Sequence, residues 1–178
     1  KQLLRDDNVV LGLGDGGAKQ GAFVNAWSRT DLDDVFALRE LLETHAAERA
    51  AVAISPEQRA ELARLQARMD TAARSSDADR LDRIALDNDR FHKLIIAAAG
   101  NARLAATLAS LIDISVSWGT FSRYNAATLR RSMDHHRELL AAFAAGDGAW
   151  AASVMTAHIR SARAVFTDEP AVAPGRLE

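Results

Sequence analysis

The sequence has no cysteine, three prolines, 6% aromatic residues and no dense run of Lys or Arg. Without cysteine there are no disulfides and no thiolate metal sites, so any bound metal must be held by nitrogen and oxygen; the composition suits a reducing cytoplasm. Few aromatics and prolines, with abundant Ala and Leu, favour packed helices over sheet. A formal net charge of −2 makes no overall basic surface for DNA or anionic membrane. No apolar stretch approaches the roughly 20 residues of a membrane helix, and no secretion signal opens the chain. The expectation is a soluble cytoplasmic protein without membrane association.

At 178 residues and 48% hydrophobic content, the chain has room for one domain with a real core. Residues 1–29 differ from the rest: Val9–Gly17 is glycine-rich, and Gly21-Ala22-Phe23-Val24 reads as a short strand after a turn. From Thr30 the pattern turns helical. Thr30 with Asp33 resembles a capping box, ahead of Leu32, Val35, Leu38, Leu42 and Ala46 at helical spacing. Ser55-Pro56-Glu57 is a helix start, with a capping Ser and Pro at the first position, and Leu62, Leu65 and Met69 follow on one face. A third helix runs from about Asp79 to Ala99, closed by Gly100, and Asn101 is placed to cap a fourth that continues through Trp118. A break near Tyr124-Asn125 precedes a fifth helix; Gly146-Asp147 ends it and caps a sixth reaching about Phe166. The expectation is an all-α, antiparallel bundle of about six helices over residues 30–168, with a disordered tail at 169–178.

Three of the five histidines occupy equivalent places. One stripe reads Leu81, Ala85, Asn88, His92, Ile95, Ala99; a second Leu129, Met133, His136, Leu140, Phe143; a third Ala151, Val154, His158, Ala162, Val165. Each is otherwise apolar and faces the interior. A single histidine on such a face is usually a satisfied core residue. Three histidines and an Asn from three helices invite a second reading, because an unpartnered buried imidazole costs roughly 1–3 kcal/mol and a metal removes that cost. Imidazole with oxygen suits zinc, nickel, cobalt, iron or manganese. His135 lies off its stripe and reads as exposed or supporting, and His45 falls near the inner face of the first helix.

Other motifs carry a resemblance. Arg39-Glu40-Leu41-Leu42-Glu43 has the form R-x-x-L-E; Phe91-His92 is followed by Ala98-Ala99-Gly100-Asn101; His136 is followed by Gly146-Asp147 and then His158. In order and spacing, residues 30–166 resemble the effector-binding (FCD) domain of GntR-type transcription regulators, the FadR-like branch. The resemblance implies a divalent metal, zinc first, with nickel, manganese, iron or cobalt as alternatives, held by Asn88, His92, His136 and His158. Asn stands where the family often has Asp; Asp87 and Asp89 flank it but lie about 100° away around the helix. It also implies a small organic acid effector, a homodimer, and DNA binding through an upstream winged helix-turn-helix of which residues 1–29 are the wing remnant and linker. For the effector, Arg39 is the first candidate contact, against a surface ion pair with Glu43; Trp118 and Arg123 are further candidates. The expected function is ligand sensing without catalysis. The alternative is a mononuclear metalloenzyme on a helical bundle, against which stand the absence of paired Glu-x-x-His motifs, of H-E-x-x-H and of an evident inward base.

Overall fold

The computed structural model describes the backbone of residues 8–9, 27–111 and 114–167, and side chains over 30–111 and 119–166. Two short strands, β1 (Asn8–Val9) and β2 (Trp27–Ser28), pair antiparallel just before the bundle. The expected strand at Gly21–Val24 and the tail at 169–178 lie outside the described residues. Seven helices follow among the described residues: α1 (Arg29–Ala53), α2 (Pro56–Arg74), α3 (Arg80–Ala98), α4 (Ala102–Leu111), α5 (Ile114–Arg123), α6 (Ala126–Ala145) and α7 (Gly148–Thr167).

The expected all-α bundle is present, with one difference in count. The fourth helix of the sequence reading is two, α4 and α5. Residues 112–113 between them lie outside the described residues. The two pieces also serve different neighbours: α4 packs on α1 and α3, whereas α5 packs on α3 and α7.

Local chemistry sets most boundaries. Ser55 caps α2 through a reciprocal box, its hydroxyl accepting from Gln58 N at 3.2 Å while its own N donates to Gln58 Oε1 at 2.9 Å. Asn101 accepts from Arg103 N and Leu104 N, both at 3.1 Å. Asn125 caps α6 at Ala127 N and Thr128 N, and Asp147 caps α7 at Trp150 N. Gly146 ends α6 at φ 67°, a conformation costly for any residue with a Cβ. At α1 the helix begins at Arg29, so Thr30 sits inside it and does not cap it.

α7 lies along α1, α2 along α3, and α6 bridges α7 and α2. A Cβ at Gly148 would come within 2.8 Å of Glu48 O, so glycine allows the start of α7 to approach α1. α3 is the central helix: Ile84, Phe91 and Ile95 are buried among neighbours on several sides, and its buried surface is wider than one stripe. On α1 the buried line differs from the expected one. Leu32, Val35 and Ala46 are buried as expected, but Leu38 is 43% exposed, and Phe36, Arg39, Glu43, Ala47 and Ala50 are buried as well. A charged pair therefore lies in the core, where buried ionic groups require partners.

Candidate metal centre and effector cavities

His92, His136 and His158 come from α3, α6 and α7, and all three are buried. One ring nitrogen from each lies within 4.8 Å of the others. Ring centroids are 4.7 Å apart for His136 and His158, 5.1 Å for His92 and His158, and 5.8 Å for His92 and His136. The three helical stripes thus converge on one point.

Two of these rings are oriented by partners behind them. Glu43 on α1 accepts from His92 Nδ1 at 2.5 Å through one oxygen and from Arg39 Nε at 2.7 Å through the other. Burial alone would raise the Glu43 carboxyl, but the adjacent Arg39 and His92 outweigh it and hold it at about 2. A carboxylate only accepts, so His92 donates from Nδ1, and the nitrogen it turns toward the other two histidines is Nε2. Behind His136, Gln66 Nε2 donates to Asp70 Oδ1 at 3.0 Å, which fixes the amide so that Gln66 Oε1 accepts from His136 Nδ1 at 3.1 Å. His136 therefore also turns a lone pair outward from Nε2.

His92 Nε2, His136 Nε2 and His158 Nδ1 are buried and have no hydrogen-bond partner. Burial, with the neighbouring imidazoles adding to it, pushes His136 and His158 well below the usual histidine range, so both are neutral at pH 7. Three unpartnered buried nitrogens would together cost several kcal/mol. The donor set fits a divalent ion: three buried imidazole nitrogens without a partner among the described residues, two of the rings held from behind by a carboxylate or amide.

Asn88 is buried one turn before His92 and lines, with Arg39, Thr120, Tyr124 and His158, a small hollow of about 10 Å3, roughly the space of one water. Asp87 and Asp89 point elsewhere, Asp87 to Arg68 at 2.8 and 2.9 Å and Asp89 to Lys93 at 2.8 Å. His135 is half-buried with its ring edge-on to His158 at 5.9 Å, a supporting position. His45, expected near the inner face, is exposed and lies 3.9 Å from Glu48.

A larger cavity of about 200 Å3 opens between α3 and α4 beside Asn88 and His92. Ile96, Ala105 and Leu108 give it apolar walls; Arg39, paired with Glu43, and Lys93, paired with Asp89, bring cations to its edge. Arg39 borders both spaces, and its pairing with Glu43 is a buried contact rather than the surface pair considered from sequence. Arg123 is elsewhere: its Nη1 donates to Gly119 O at 3.0 Å, its guanidinium lies 4.9 Å over Phe166, and it lines neither space. Trp118 lies on α5, with its side chain outside the described residues. Gln66 escaped the sequence reading, although a polar side chain four residues after Leu62 and four before Asp70 marks an inward-facing position.

A family model described as FCD domain matches residues 34–161. Among solved structures, Streptococcus agalactiae GntR is similar at a TM-score of 0.62 and 27% identity, over 76% of this chain and 59% of that one. E. coli McbR/YncC aligns at a TM-score of 0.69 and 21% identity, over 81% of this chain and 68% of that one, a likeness of fold. This chain thus spans less than two-thirds of the GntR it matches. No curated protein sequence matches it significantly. No helix among the described residues is long and apolar enough to cross a membrane.

Proposed function

This chain belongs to the FCD domain family of GntR-type regulators, and from that premise we propose that it senses a small organic acid through a divalent metal, zinc first. The observation carrying the metal is the trio of buried ring nitrogens within 4.8 Å, two of them oriented from behind by Glu43 and Gln66. His92, His136 and His158 would hold the ion, with Asn88 supplying an amide oxygen. When bound, such an ion acts as a Lewis acid and offers remaining positions to a carboxylate oxygen.

The residues of this chain do the rest. Arg39 brings a fixed positive charge to the cavity wall, and Ile96 and Leu108 keep water from the body of the acid. In the parent protein, a homodimer would carry the effector signal to DNA through an upstream winged helix-turn-helix in the cytoplasm, with residues 1–29 as the wing remnant and linker. A metalloenzyme is disfavoured because, among the described residues, the one carboxylate hydrogen-bonded to the trio, Glu43, is committed to Arg39 and His92 and held at about 2, too acidic for a general base near pH 7.

Metal analysis of the purified protein, with His136→Ala alongside, tests the reading. The expected result is one divalent ion per chain in the wild type and loss in the variant. A wild-type chain that takes up no divalent metal at about micromolar concentration sinks the centre as drawn.

A further inference from the structure

A third hollow, of about 400 Å3, lies at the end of the bundle where the C-terminus of α2 meets the N-termini of α3 and α6. No histidine lines it. Arg74, Arg80, Arg130 and Arg137 do, against one carboxylate, Asp70, in a chain whose formal net charge is −2. Arg137 is neutralised by Asp70 and Asp134. The side chains of Arg74, Arg80 and Arg130 have no ion-pair or hydrogen-bond partner among the described residues.

Three guanidinium groups share one concavity, and Arg80, the first residue of α3, sits where a helix dipole repels cations. Among the lining residues the one carboxylate, Asp70, is already shared with Arg137 and Gln66 and does not offset that charge. A compact dianion would, and guanidinium forks match phosphate oxygens in geometry as well as charge. Leu81, Leu129 and Met133 line the same hollow with apolar surface, enough for a small organic body.

We propose that this hollow binds a small phosphorylated metabolite, as a site separate from the histidine centre. Its volume and concavity favour such a molecule over a DNA backbone, which runs along open surface. The hollow is also linked to the histidines: Arg137 donates to Asp70, Asp70 accepts from Gln66, and Gln66 holds His136. Tyr124 borders both this hollow and the small one beside His158. An anion that draws Arg137 from Asp70 therefore has a hydrogen-bonded route to the His136 ring.

The test is calorimetric titration of the whole chain, metal-free and metal-loaded in parallel, at low ionic strength. The probes are inorganic phosphate, a hexose phosphate and a nucleoside monophosphate, with the unphosphorylated sugar and nucleoside as controls. Phosphorylated probes are expected to bind, the controls not. Arg80→Ala and Arg130→Ala should each weaken binding about tenfold, with melting temperature and metal content unchanged because both side chains project at helix ends. Arg130→Lys should retain part of the affinity. Absence of binding up to about 10 mM phosphate, equal binding in wild type and both Ala variants, or duplex DNA binding that depends on these arginines while the small phosphates do not bind, overturns the proposal. Because the metal-free protein is titrated too, failure here is distinct from failure of the metal centre.

Discussion

Glu43→Gln separates the sensing centre from ordinary core packing. Glu43 is 1% exposed and joins Arg39 on one side to His92 on the other. Its carboxyl is held at about 2 in the folded chain against 4.5 as the ordinary value. At about 1.4 kcal/mol per pH unit, that difference corresponds to on the order of 3 kcal/mol of stability at pH 7. The sign follows from the depressed folded value: this stability is fully present above pH 4.5 and is lost as pH falls from there toward about 2. Gln has nearly the same shape but one accepting oxygen. If that oxygen faces His92, the amide NH2 meets Arg39 Nε and leaves a buried cation uncompensated. If it faces Arg39, the NH2 meets His92 Nδ1–H, and the ring must shift its proton to Nε2, the atom turned toward the other histidines. Breaking one side of a buried ion pair costs about 3–5 kcal/mol, in agreement with the linkage figure. Loss of a group that orients a metal-bound histidine also lowers metal affinity about 10- to 100-fold. Urea denaturation of the metal-free protein and chelator competition for zinc read the two effects separately. A Glu43→Gln protein within about 1 kcal/mol of wild type and with unchanged zinc affinity would refute both the tautomer argument and the role of the pair.

Three further outcomes follow from the same geometry. Asn88→Asp adds a buried carboxylate beside the trio, so metal-free stability should fall while zinc affinity rises about fivefold or more, roughly 1 kcal/mol; thermal melting and chelator competition should move in opposite senses. His136 and His158 are depressed below 6.5 by burial, so the unfolded chain takes up protons first as pH falls. Stability of the metal-free protein should therefore be highest above pH 6.5 and decline below it, by up to about 1.4 kcal/mol per pH unit for each histidine; a melting temperature that is flat from pH 7.5 to 5.5 contradicts this. Gly148→Ala places a Cβ 2.8 Å from Glu48 O, forcing α7 off α1 at a cost of about 1–3 kcal/mol, measurable by urea denaturation.

Helical periodicity and capping residues made most of the fold legible. Ser55, Asn101, Asn125 and Gly146 act where their types lead one to expect, because caps are local chemistry. The three histidine stripes converge for a similar reason: a single polar residue on an apolar face has nowhere to go but inward. What escaped the sequence depends on partners from other helices. Leu38 and Leu42 suggested one inner face for α1, yet Arg39 and Glu43 take the core because His92, on α3, completes their pairing. Gln66 gains its meaning only from Asp70 on one side and His136 on another helix. Arg123, near Trp118 in sequence, turns onto Phe166 of α7, a contact no local pattern reveals. That α4 and α5 meet different neighbours, α1 and α3 for one, α3 and α7 for the other, is likewise outside what local periodicity carries.

The position of α1 explains why sensing suits this arrangement better than catalysis. α1 is the helix that follows β2, and its Arg39 borders both the 10 Å3 hollow at His158 and the 200 Å3 cavity at His92. Through Glu43 the same helix is hydrogen-bonded to His92, and along its length it packs against α7, which carries His158. An anion that competes with Glu43 for Arg39 would alter a buried ion pair worth several kcal/mol, and the change would be felt first by α1. Conformational coupling requires that a ligand act differently on two arrangements of one element. On the proposed reading α1 is that element, since it touches the metal ligands, the effector cavity and the segment leading toward the DNA-binding end. A catalytic site would need a free base aimed at substrate. Among the described residues, the one carboxylate hydrogen-bonded to the histidines, Glu43, is spent on holding α1 to α3.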